Sequence, residues 1–117
     1  MAMTLADRID VVLDLVDHER EADVLNRYVV DRYIERTDAP FNVMPFGADN
    51  CPRLGRDLAK ARSMGYLTRH TTGIGDGFSS MGFPKWVYSY RLTDMGRNRL
   101  ALARAIWEER ENGTCDR

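Results

Sequence analysis

Five basic side chains, Arg53, Arg56, Lys60, Arg62 and Arg69, fall within one short stretch that holds a single acid, Asp57. Guanidinium and ammonium groups recurring at three- and four-residue intervals can line one side of a helix. The chemistry they offer there is charge-assisted hydrogen bonding to an anion. A formal net charge of −1 hides this concentration. Residues 1–49 carry five Arg against eleven Asp and Glu, and residues 92–117 are balanced. Residues 50–91 carry five Arg and two Lys against Asp57 and Asp76. A basic middle in an acidic frame directs one face toward a polyanion. Ordinary solvated helix charge is the competing reading, and for any one arginine it is the simpler.

The second stretch with a chemical look is "TTGIGDGFSSMGFPKW", residues 71–86, which contains Gly73, Gly75, Gly77 and Gly82. A phosphate-cradling loop needs a strand leading in and a helix leading out, so that helix N–H groups face the anion. Here both flanks, "YLTRH" and "WVYSYRL", are rich in aromatic and β-branched residues and read as antiparallel strands. The loop is therefore expected to be the tip of a long hairpin. Asp76, Ser79 and Ser80 supply turn chemistry, and Pro84 restarts an extended chain.

The remaining reactive types are sparse. His18 and His70 have no partner at metal-ligand spacing, and Cys51 and Cys115 are too few for a disulfide framework. Cys51 near a helix start has the setting of a low-pKa thiol. A structural, partly buried cysteine is the simpler reading. Asp7, Asp10, Asp14 and Asp17 follow a three-to-four spacing that reads as the wet face of a helix. No enzymatic activity, cofactor or metal is expected.

Periodicity supplies the elements that must position these residues. The 117 residues suit one domain spanning 1–117. No apolar run approaches the ~18 residues of a membrane span. "MAMTLADRID" lacks a secretory pattern, so a cytoplasmic location is expected. Leu5, Ile9, Val12, Leu13 and Val16 form one helical stripe over 5–16, with Thr4 as cap. Ala22, Leu25, Tyr28, Val29 and Tyr33 form a second over 21–36, with Val24, Val30 and Ile34 widening it toward burial on several sides. Residues 37–52, with three prolines, form a packed connection. A third helix covers 50–64: Asn50 caps it, Leu54, Leu58 and Ala61 face inward, and Gly65 stops it. Strands at 66–70 and 86–92 follow, then a helix from Thr93 to a stop at Asn112-Gly113. The predicted class is α+β, mostly helical, in the order α-α-α-β-β-α.

Two pieces of this run carry a resemblance. "LGRDLAKARSMGYLTRH" is a helix ending in Gly-Tyr-Leu that turns straight into a strand. "VYSYRLTDMGRNRLA" is a strand ending in Tyr-x-Leu-Thr-Asp-x-Gly that leads into a helix. Together they resemble the winged helix-turn-helix regulators of the MarR and PadR type at Leu58, Gly65, Tyr66 and Leu67, then at Tyr90, Leu92, Thr93 and Gly96. The resemblance covers residues 50–102, and the first half only by helix order. It implies a winged helix-turn-helix domain with a long glycine-rich wing. Residues 1–36 would be N-terminal helices, 50–92 the recognition helix and wing, and 93–112 the C-terminal helix. The implied function is sequence-specific binding of double-stranded DNA by a transcriptional regulator, a repressor acting by occupancy.

On that basis the third helix presents Arg53, Arg56, Asp57 and Lys60 on its open side, with Arg62 on a flank. Arg53 and Arg56, near its N-terminus, are candidates to read base edges, and Asn50 to touch adenine or phosphate. Lys60, Arg62 and Arg69 are placed for phosphates, and His70 and Lys85 for the adjacent minor groove. A homodimer is expected through Leu5, Ile9, Leu13, Leu100, Ala103, Ile106 and Trp107, and closure of the monomer core by the same stripes competes with it. A winged-helix module that docks on a protein, such as a small phage or mobile-element protein binding a host factor, is the alternative function.

Overall fold

Thr4 opens the first helix, α1 (Leu5–Glu19): its Oγ1 accepts a hydrogen bond from the Asp7 amide at 3.1 Å. The computed structural model describes residues 3–19, 22–23, 27–40, 51–73 and 86–115. After α1 come β1 (Ala22–Asp23), α2 (Arg27–Thr37), α3 (Pro52–Ser63), β2 (Leu67–Gly73), β3 (Trp86–Leu92) and α4 (Asp94–Cys115). The class is α+β and mostly helical, with one antiparallel sheet in the order β1-β3-β2.

The core is built around α1. Ile9, Val11, Val12, Leu13, Leu15 and Val16 are all buried, because α1 touches α2, α3, α4, β1 and β3. The helix wrapped on several sides is therefore α1, while its expected stripe residue Leu5 is exposed. The helix expected from residue 21 begins instead at Arg27. Ala22 and Asp23 pair antiparallel with Tyr90 and Ser89, so their backbone is held by β3. Cross-strand pairing here overrides local helical periodicity. At the other end of α2, Thr37 Oγ1 donates to the Tyr33 carbonyl at 2.7 Å, and Asp38 takes φ +53°. An aspartate tolerates that left-handed geometry, and Pro40 follows.

Helix α3 begins one residue later than expected. Cys51, fully buried, occupies its N-cap position without a side-chain cap bond, and Asn50 lies outside the described residues. Gly65 ends α3 at φ +85°. The Tyr66 amide donates to the Ala61 carbonyl and the Gly65 amide to the Arg62 carbonyl, both at 3.0 Å, which satisfies the last turn. The chain then enters β2, which pairs with β3 from Leu67 opposite Leu92 to Gly73 opposite Trp86. The glycine-rich tip at 74–85 lies outside the described residues.

Thr93 joins the sheet to α4. Its Oγ1 donates to the Gly65 carbonyl at 2.6 Å and accepts from the Gly96 amide at 3.0 Å, capping the helix. Its own amide donates to the Tyr66 carbonyl at 3.0 Å. Helix α4 continues through the expected stop at Asn112-Gly113 to Cys115.

Candidate nucleic-acid interface

Helix α3 turns four side chains inward: Leu54, Asp57, Leu58 and Ala61. Asp57, expected on the open side, is 3% exposed. Its carboxylate accepts from Arg8 Nε on α1 at 3.0 Å and from the Tyr33 hydroxyl on α2. A buried carboxylate needs such partners to stay compatible with the core. Arg53, expected to read bases, is drawn into the same network. Its Nε donates to Tyr33 Oη at 2.9 Å, and its Nη2 donates to the Thr37 carbonyl at 3.0 Å and to Thr37 Oγ1 at 2.7 Å. The guanidinium also lies 5.5 Å from the Tyr33 ring centroid. Burial, reinforced by the bond to Asp57, pushes the Tyr33 hydroxyl up to about 12. The bond to Asp57 likewise raises Arg8. Arg53 and Asp57 thus hold α3 onto α1 and α2, and neither offers its side chain to an outside partner in the way the sequence suggested.

The open side of α3 keeps Arg56, Lys60 and Arg62, all exposed. None of the three side chains has an ion-pair or hydrogen-bond partner among the described residues, and with Asp57 turned inward that face carries no acid. Past the helix end, Arg62, Ser63, Leu67, Thr68, Arg69 and His70 line an open groove of about 660 Å³. Arg69 and His70 are exposed there, and His70 Nε2 lies 3.1 Å from Thr68 Oγ1. Three of the proposed contacts, Arg62, Arg69 and His70, therefore share this groove, while Arg56 and Lys60 stand exposed on the other flank of α3. Lys85, like Asn50, lies outside the described residues.

The acids of α1 form a wet face only in part: Asp7 and Asp17 are exposed, Asp14 is half-buried and Asp10 is buried. Asp10 is buried and accepts from Arg99 Nε and Nη2 of α4 at 2.8 and 2.9 Å. Asp14 accepts from Arg36 of α2 at 2.6 Å and from Arg104 of α4 at 2.7 Å, and Asp17 accepts from Arg104 at 2.9 Å. Burial works against ionising Asp14, but the bonds from Arg36 and Arg104 outweigh it and hold its carboxyl below the ordinary value. The bond to Asp10 raises Arg99. Arg36 also stacks over Trp107 at 5.3 Å. Asp10, Asp14 and Asp17 are thus paired with arginines of α2 and α4.

The expected dimer stripe is mostly core. Ile9, Leu13, Leu100 and Ala103 are buried within the single chain, because α1 and α4 pack on each other and leave no free surface there. Leu5 and Ile106 are exposed, and Trp107 is half-buried against the core.

Comparison with family models, with curated proteins and with solved structures finds no match for the chain. Ser63 and Thr68 join the groove without having been anticipated. Their only sequence signal is position, one at the end of the basic helix and the other at the start of the strand that follows it.

Proposed function

We propose that this chain is a winged-helix protein that binds double-stranded DNA and regulates transcription by occupying its site, as a repressor. The supporting observation is the open side of α3, where Arg56, Lys60 and Arg62 stand without a carboxylate partner among the described residues. An α-helix fits the major groove of B-DNA, and bases along its flanks reach the phosphates. Arg56 is the arginine available near the helix N-terminal half to read a guanine edge, a contact worth ~1–3 kcal/mol of discrimination. Lys60, Arg62 and Arg69 are assigned to phosphates. The strand order β1-β3-β2, with the β2–β3 hairpin directly after α3, is compatible with a winged helix.

A labelled mixed-sequence duplex titrated at increasing salt tests the reading. Affinity that falls steeply with salt supports it, since each neutralised phosphate contributes about 0.9 to the logarithmic slope. No binding at low salt removes it. The homodimer belongs to the same proposal, now through Leu102 and Ile106, which lie exposed one turn apart on α4. Sedimentation at micromolar concentration tests it, and a monomer throughout removes it.

A further inference from the structure

The groove beyond the end of α3 contains a side chain that can change its charge near neutrality, His70, and no acid lines it. His70 is exposed, and its Nε2 lies 3.1 Å from Thr68 Oγ1. Thr68 Oγ1 in turn lies 3.5 Å from the Arg91 carbonyl. This relay accommodates a protonated ring: Nε2–H donates to Thr68 Oγ1, and the Thr68 hydroxyl turns its hydrogen to the Arg91 carbonyl. Nδ1 then carries a second hydrogen, and it has no hydrogen-bond partner among the described residues. The charges nearest the ring are positive. Arg69 is its neighbour on β2, Arg91 lies opposite Thr68 on β3, and Arg62 lines the groove from the end of α3. Asp23 occupies the same cross-strand row two strands away, on β1. Asp76 and Lys85, in the hairpin tip, lie outside the described residues. Like charges resist protonation of the ring, and an anion seated among them removes that resistance.

We propose that this groove seats a phosphate of the DNA backbone and that protonation of His70 completes the grip on it. This rests on α3 being the DNA-binding helix, and it gives His70, expected beside the minor groove, a charge-bearing part at the backbone. Arg62 supplies a permanent cation, and the imidazolium supplies a second through Nδ1–H. The neutral ring has a single hydrogen. Held on Nε2 for Thr68, it leaves Nδ1 as an acceptor set against the phosphate oxygens, which are also acceptors. Binding is therefore linked to uptake of a proton, and affinity rises as pH falls through the range in which histidine titrates. A DNA phosphodiester keeps its single negative charge through that range, so the effect reports on the protein.

A labelled mixed-sequence duplex, titrated at low salt at about pH 5.5 and about pH 8, tests this with the unaltered chain, His70→Gln, His70→Lys and His18→Gln. Circular dichroism at both pH values checks that each chain is folded. The unaltered chain is expected to bind about tenfold more tightly at the lower pH, the effect of an opposite charge that moves a titrating group by about one unit. Its logarithmic salt slope is expected to steepen there by about 0.9, for one further neutralised phosphate. His70→Gln should lose both effects and bind as the unaltered chain does at the higher pH. His70→Lys should bind tightly at both pH values, and His18→Gln should behave as the unaltered chain does. If the pH dependence is absent, or survives in His70→Gln, the protonation inference is overturned and the DNA-binding reading stands. If no chain binds duplex at either pH, both are overturned.

Discussion

Gly96 lies against the carbonyl oxygen of Tyr66: a Cβ built at residue 96 would sit 2.1 Å from it. That carbonyl also accepts the Thr93 amide, so it cannot turn away without losing its bond to the residue that caps α4. The two short motifs in which these residues occur are parts of one junction. Gly65-Tyr66 ends α3 and starts β2, and Thr93 with Gly96 ends β3 and starts α4. Gly96→Ala should therefore destabilise the chain by about 3 kcal/mol or more, a fall in melting temperature of order 10 °C. Thermal unfolding followed by circular dichroism measures it, and an unchanged midpoint would contradict the junction as described.

Tyr33, Arg53, Asp57 and Arg8 form one network, and its members should fail together. Tyr33→Phe leaves Arg53 Nε without its acceptor and costs about 1–3 kcal/mol. Asp57→Ala leaves Arg8 and Tyr33 without their shared partner and costs about 3–5 kcal/mol. A double-mutant cycle between Tyr33→Phe and Arg53→Ala should be non-additive. Because the folded Tyr33 titrates near 12 instead of 10, its contribution is complete below pH 10 and is lost as pH rises toward 12. Ultraviolet titration of the five tyrosines should show a late component that Tyr33→Phe abolishes.

Much of this was legible beforehand, and the misses have physical causes. Thr4, Gly65 and Thr93 were readable as punctuation because capping and left-handed geometry are local demands. The burial of Asp57 has a signal in its spacing: Leu54, Asp57, Leu58 and Ala61 complete the i, i+3, i+4, i+7 set of an inward face. A charged residue on that face signals a buried network, and Tyr33, a core tyrosine whose hydroxyl needs a partner, was its other half. The same holds for Asp10 among the apolar residues of α1. β1 was illegible for a different reason, since two residues hold no period and exist as a strand only because β3 pairs with them.

Acid should loosen the seam between α1 and its neighbours. Asp14 has a carboxyl held below its ordinary value of 3.8, so the unfolded chain takes up a proton before the folded one does. Its contribution is therefore present above about pH 4 and is lost as pH falls below that value. Asp14→Asn should lower stability near neutrality and flatten the acid limb. Urea unfolding at pH 7 and pH 3 measures both effects, and an unaltered difference between the two pH values would contradict this role for Arg36 and Arg104.

The most direct measurement compares the salt dependence of duplex binding in the unaltered chain and in the Arg56→Ala/Lys60→Ala/Arg62→Ala variant. These side chains are exposed and unpartnered among the described residues, so the triple variant should keep its melting temperature within a few °C. If all three meet phosphates, the logarithmic slope should fall by about 2.7, with a large loss of affinity at low salt. A folded triple variant that binds duplex with the same affinity and the same slope would contradict α3 as the DNA-binding surface.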